Sequence, residues 1–325
     1  MATPDNAWDW RPAQPSRLEQ PVTLLRLEGP DALRVLHGQT SQAIELAPPG
    51  SALATCVISP TARLRALARV LVDAGGAWLL IEAGDGAAVR TALDRVLFPA
   101  DRVALGALQQ AVLITPVLGA GEAALPPELP HGDAGQWQPL DADQGLWLLG
   151  QQLLQLSPDA PLPAAMASRP PLQHQQQERW RLQQGTPAAP GEINDDHNPF
   201  ELGLADRVSL NKGCYVGQET LAKLATYDGV KQQLRRWSAL QPAGTSELAA
   251  GQALLQGNGE RAGAISSALA IPQDDGNVLW LGLALVRRSA LEQAALMAGE
   301  QGPSLAISRP QAFVDPPVGT AQRRP

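Results

Sequence analysis

Apolar and polar positions along the chain follow two periods, and the switches between them outline its elements. VTLLRL (22–27) reads as a short strand. In GPDALRVLHGQTSQAIE, residues Leu33, Leu36, Thr40 and Ile44 recur at the spacing of one helix face, with Gly29-Pro30-Asp31 as the start signal and Pro48-Pro49-Gly50 as the stop. ALATCVIS (52–59) and RLRALARVLV (63–72) read as strands joined by a Pro-containing turn. Arg63, Arg65 and Arg69 set among Leu64, Ala66 and Val70 suit a half-exposed sheet. Gly75-Gly76 marks a hairpin into AWLLIE (77–82), followed by a helix over 85–97 and a strand over 109–117. Residues 119–143 and 157–171 read as Pro- and Ala-rich loops around a strand at 145–150. HQQQERWRLQQG (174–185) predicts a helix closed by Gly185, and 186–200 a loop. Beyond 232, the runs RRWSAL, ALLQ, RAGAISSAL and VLWLGLALVRR, separated by Gly, Pro and Asp, predict a small β-barrel.

This order of strands and helices predicts an α+β protein with a largely antiparallel sheet. The boundaries fall as a flexible arm (1–20), an α+β region of two interleaved sub-domains (21–232), a C-terminal β-barrel (233–312) and a tail (313–325). A length of 325 residues supports two or three domains. A formal net charge of -7 counts against a broad phosphate-binding face, so no direct nucleic-acid partner is expected. Two cysteines, Cys56 and Cys214, exclude a disulfide scaffold and a self-contained Cys₄ zinc site. The polar, Pro-rich start has no apolar signal core, and no apolar run reaches the ~18 residues of a membrane span. A cytoplasmic protein without a membrane partner is the expectation.

Candidate chemistry concentrates in one stretch. The chain's only three lysines, Lys212, Lys223 and Lys231, lie within twenty residues of one another, with both tyrosines, Tyr215 and Tyr227, and Cys214. In LNKGCYVGQET (210–220), Gly213 and Gly217 bracket Cys214 and allow positive φ or a close ligand approach. An ammonium two residues away, at Lys212, would stabilise a Cys214 thiolate. Gln218 and Glu219 add acceptors. The competing reading is an inert cysteine in a glycine-rich turn. Cys56, in an apolar strand, reads as core. His37, His131, His174 and His197 show no metal-ligand spacing, and Asp195-Asp196-His197 reads as an exposed turn. No metal site is expected.

LNKGCYVGQE resembles the KGCYxGQE signature of the YgfZ family of folate-binding proteins, which support iron–sulfur enzymes. Lys212, Gly213, Cys214, Tyr215, Gly217, Gln218 and Glu219 all stand in register. RWRLQQGTPAAPGEINDDHNPFELGL, GPDALRVLHGQTSQ, GERAGAISSAL and GLALVRR extend the resemblance over 22–290. It implies the aminomethyltransferase-like folate-binding fold of the glycine-cleavage T-protein: two α/β sub-domains around a central cavity, plus the barrel. It further implies Cys214 and Lys212 as the reactive groups, and Arg181, Gln183, Glu192, Tyr215, Gln218 and Glu219 around tetrahydrofolate or a derivative. The partners implied are folate and iron–sulfur client enzymes, with any effect on tRNA modification indirect.

Two departures qualify the carry-over. Aligned on Ser59-Pro60-Thr61-Ala62-Arg63, the catalytic acid of the aminomethyltransferase falls near Leu67, and Asp73 is too far along the strand. Aminomethyl transfer would lack its proton-handling carboxylate. The relatives' Arg-x-Glu-x-Gly reads Arg181-Leu182-Gln183-Gln184-Gly185, which puts an amide where a carboxylate would accept from a pterin. A tetrahydrofolate-dependent aminomethyl- or methyltransferase and a folate-free scaffold are the alternative readings.

Overall fold

The computed structural model describes residues 7–319; the first six residues of the expected arm and the last six of the expected tail lie outside that span. The described residues divide into two compact units, one of residues 11–173 with 207–220, the other of residues 7–10 with 174–206 and 221–319. Arg181 and the buried Glu192, on the helix over 174–184 and in the loop after it, both bond to Ser267 far along the chain, a pairing that no local pattern announces.

In the first unit, β1 (Ser16–Glu28) begins six residues before the apolar run at Val22. Then come α1 (Ala32–Gln39), β2 (Ala52–Ile58), β3 (Leu64–Asp73), β4 (Gly76–Gly84), α2 (Gly86–Asp94) and β5 (Ala104–Val117). They are followed by β6 (Trp137–Asp141), β7 (Leu146–Leu149), β8 (Gln152–Gln155) and the one-turn α3 (Ala164–Ala167). The strands form one antiparallel sheet in the order β2-β3-β4-β1-β5-β8-β7-β6. It curls until its edges meet: Ala52 N donates to Gly135 O at 2.7 Å and Trp137 N to Gly50 O at 2.8 Å. Both faces are therefore buried. Leu25 and Leu27 pack with α1 and α2, while Val22 and Leu24 face Trp137 and Trp147. The β6 strand and α3 lie in the stretches expected to be loops; polar, Pro-containing WQPLD gives no alternation to read.

Helix α1 ends at Gln39 rather than running to Ile44. Thr40 turns to extended backbone (φ -130, ψ 169), and its hydroxyl bonds back to Leu36 O at 2.8 Å. Ile44 is still fully buried, held by its N–H on His37 Nδ1 at 3.2 Å.

The second unit contains α4 (His174–Gln184), where the sequence predicts it, and a closed antiparallel barrel. The helix α5 (Gln218–Thr226) straddles the division of the chain. The barrel strands are β9 (Gln232–Pro242), β10 (Ala253–Leu255), β11 (Arg261–Pro272), β12 (Asn277–Arg287), β13 (Ala295–Ala298) and β14 (Ser304–Ser308). They close in the order β10-β11-β12-β9-β14-β13, with β13 pairing back to β10. Trp237 fills the core and donates its indole N–H to Leu283 O at 3.0 Å. Gly282 makes that possible, since a Cβ there would stand 2.5 Å from the Trp237 ring. The fold is thus richer in β-structure than the predicted balance of two α/β sub-domains: α1, α2 and α3 are each nine residues or fewer.

Candidate functional site

The turn carrying Cys214 is fastened to the first unit at several points. Ser209 N donates to Ser41 O at 2.9 Å, and Val216 N to Gly38 O at 3.0 Å. Ser41 Oγ donates to Arg207 O at 2.6 Å. Gly217 takes φ +79, and a Cβ there would lie 2.8 Å from Ser59 O, so only glycine fits. Gly213, by contrast, has no left-handed φ and open space where a Cβ would stand. The glycine bracket is structural on one side only.

Lys212 is the buried anchor. Its ammonium donates to Thr40 O at 2.6 Å, to Gln42 O at 2.7 Å and to His37 O. It also sits 4.3 Å from the centre of the Tyr215 ring. His37 and Thr40 stand at the C-terminal end of α1, where unpaired carbonyls favour a cation. Burial pulls the Lys212 amine down to about 7. The three carbonyls act the other way, because only the protonated amine has three N–H groups to give them. Burial, and then the Lys212 charge, lower the pKa of His37. A neutral ring suits the His37 Nδ1 acceptor that takes the N–H groups of Ile44 and Glu45.

The three Lys212 N–H groups thus go to backbone oxygens, and none is left to donate to the Cys214 thiol that its two-residue spacing suggests as a partner. Cys214 itself is exposed, whereas Cys56 is fully buried. Tyr215 is buried, its hydroxyl has no partner, and burial pushes its pKa up. Gln218 Nε2 donates to Lys212 O at 3.3 Å, and Glu219 stands exposed in the first turn of α5. One turn thus brings together Lys212, Cys214, Tyr215, Gln218 and Glu219.

Arg181, Gln183 and Glu192 lie in the other unit. Glu192 is completely buried and accepts from Ser267 Oγ (2.7 Å), Ala188 N (3.0 Å) and Arg181 Nη1 (3.2 Å). Arg181 also donates to Glu178 (2.7 and 2.8 Å), Ser267 Oγ (2.9 Å) and Thr186 O (2.7 Å). Burial weakens the Arg181 cation, but the two carboxylates more than compensate and raise its pKa. Every donor and acceptor of this clamp is used internally, so Arg181 and Glu192 hold the 186–192 loop to α4 and β11. Beside it lies a cleft of about 780 Å³ edged by Glu178, Arg181, Asp196 and His197. The Asp195-Asp196-His197 turn, with Asp195 at φ 65, therefore borders a cavity.

Gln183 differs from both. Its Nε2 donates to Trp10 O at 3.1 Å, but its buried Oε1 has no donor. Leu67 is 2% exposed within β3, between Cys56 and Ala83 on the flanking strands. Asp73 is held by Arg26 through two bonds of 2.5 and 3.0 Å. The sequence gives no sign of the Glu82 centre, where Arg69 (2.7 Å) and Arg207 (3.1 Å) meet one carboxylate, because its members come from β4, β3 and the 207–220 segment. The Glu178–Arg181 pair, by contrast, is readable as an i,i+3 spacing.

Sheet, barrel and the 207–220 turn together define an aminomethyltransferase-like fold. The structure is similar to the glycine cleavage system aminomethyltransferase T of Bartonella henselae, with a TM-score of 0.71 and 17% identity over 96% of this chain and 89% of that one. At the level of sequence, it is 29% identical over 229 residues to a chloroplastic Arabidopsis thaliana protein that carries a provisional transferase name. That match takes in 65% of this chain and 52% of the relative, so it spans about half the relative's length. No family model matches the chain. Among the described residues, no helix is long and apolar enough to cross a membrane.

Proposed function

We propose that the protein binds a reduced folate and works, through Cys214, as an accessory factor for iron–sulfur proteins. The observation that carries this reading is the exposed thiol of Cys214 on a turn whose backbone is locked by buried Lys212. The resemblance of KGCYVGQE to the YgfZ signature supplies the iron–sulfur context. The folate part draws on the aminomethyltransferase-like fold and on the unpaired Gln183 Oε1. When bound, tetrahydrofolate supplies a one-carbon carrier. The chain's own part is to offer one accessible sulfur from a rigid turn and to seat the ligand against Gln183. Arg181 and Glu192 act behind it by fixing the loop after α4. One thiol is too few to hold a cluster without an external ligand.

The second reading is a tetrahydrofolate-dependent transferase, favoured by the name of the Arabidopsis relative. Against it stands Leu67, an apolar side chain where an acid would handle the proton. Titration of the purified protein with tetrahydrofolate, followed by tryptophan fluorescence, tests the shared folate claim. Saturable binding supports it, and no binding leaves a folate-free scaffold. An assay for ammonia and methylene-folate then separates accessory factor from transferase.

A further inference from the structure

The residues just before Arg11 dock on the helix that carries Gln183. Trp8 and Trp10, two positions apart, turn the same way around exposed Asp9. The Trp8 ring lies under the Arg236 guanidinium at 4.7 Å, and the Trp10 ring under that of Arg179 at 5.1 Å. Trp10 O takes the Gln183 side-chain N–H at 3.1 Å, while Arg236 Nη1 reaches Gln183 O at 3.1 Å. A short segment thus stacks two rings on two arginines and accepts one hydrogen bond from the Gln183 side chain.

The surface beneath is unfinished. Arg179 Nε, Arg236 Nε and Gln183 Oε1 are all buried without a partner. Burial lowers the pKa of both arginines, offset at Arg236 only by the Asp9 charge. A permanent packing contact would leave such groups paired. A flat heteroaromatic ring with N–H and ring-nitrogen groups would stack on a guanidinium face as an indole does, and would offer both a donor to Gln183 Oε1 and an acceptor to an arginine Nε–H, whereas an indole has no ring acceptor.

We propose that residues 7–10 are a tethered occupant of the Gln183 face, an autoinhibitory strap that a heteroaromatic ligand displaces. This rests on the reading that folate binds against Gln183, and it adds a control of that same site. The strap reduces apparent affinity by the fraction of molecules in which it is closed. Two cation–π contacts and a hydrogen bond to a backbone carbonyl hold it, so removing the two rings should tighten binding about tenfold.

The experiment is calorimetric titration of tetrahydrofolate against the full chain, the Trp8→Ala/Trp10→Ala double variant and the Trp8→Phe/Trp10→Phe double variant. Hydrogen exchange at residues 7–10 is followed in the wild type with and without ligand. The expected result is about tenfold tighter binding by the alanine variant, a near-wild-type constant for the phenylalanine variant, and faster exchange of the strap when ligand is present. Equal affinities, or exchange that slows on binding, would overturn the strap and leave folate binding intact. Absence of binding in all three proteins would overturn the folate reading and the strap with it. If the alanine variant does not fold, the exchange result alone decides.

Discussion

Lys212 Nζ lies 2.6 Å from the carbonyl oxygen of Thr40, which stands 172 positions earlier in the chain. This contact ties the Cys214 turn to the end of α1 and gives the ammonium a structural task. Replacing the side chain with Met removes the cation and leaves buried carbonyls of His37, Thr40 and Gln42 without donors. Hydrogen bonds from charged groups contribute ~1.5–3 kcal/mol each, and the regained cost of burying the charge offsets part of the sum. Lys212→Met should therefore lose about 2 kcal/mol, a fall in Tm of roughly 4–8 °C. A Tm at or above that of the wild type would show that the cage is not holding the turn.

The two thiols should separate cleanly in alkylation. Cys214 is exposed and Cys56 is fully buried beside Ser41 and Leu67. Iodoacetamide under native conditions should modify Cys214 at least a hundredfold faster, since Cys56 reacts only through opening of the sheet. Mass spectrometry of the time course checks this. Comparable rates would mean that the β2–β3 region opens readily.

Acid should weaken the fold through Glu82. Burial pushes its carboxyl up, but Arg69 and Arg207 outweigh that and hold it below its ordinary 4.5. Between the folded value and 4.5 the unfolded chain binds more protons, so stability rises with pH in that range. The contribution is complete above 4.5 and is lost as pH falls through the folded value. Urea midpoints from pH 3 to 6 should show a shallower acid loss in Glu82→Gln than in the wild type. Parallel curves would remove Glu82 from the account.

Glycine-cleavage activity should be absent or very weak. Leu67 is buried apolar strand, and the nearest acid on β3, Asp73, is engaged by Arg26. General acid–base help is worth ~10²–10⁴-fold. Turnover should fall at least that far below a glycine-cleavage aminomethyltransferase in the same assay. Turnover within tenfold would promote the transferase reading.

Much of this architecture is legible along the chain. The β2–β4 hairpins, α4 and the first four barrel strands carry their own periodicity and punctuation. The strands β13 and β14 do not: ALMA is made of residues that favour helices, and only barrel closure makes it a strand. QETLAKLAT is a one-face helix too short to stand out after the Gly217 turn. Around Cys214, the exposed thiol follows from its glycine-rich setting. The task of Lys212 does not, because proximity of two positions suggests chemistry between them while the true partners are the carbonyls of His37, Thr40 and Gln42. The same limit hides the Trp10–Gln183 contact, whose partners are 173 positions apart.

The most direct test is whether a reduced folate binds against Gln183. Hydrogen exchange over residues 174–184 should be measured with and without saturating tetrahydrofolate, in parallel with a calorimetric titration. The account predicts saturable binding and slower exchange in that helix that tracks occupancy. Folate binding that leaves the helix unchanged would contradict the placement at Gln183, and failure to bind folate at all would contradict the account outright.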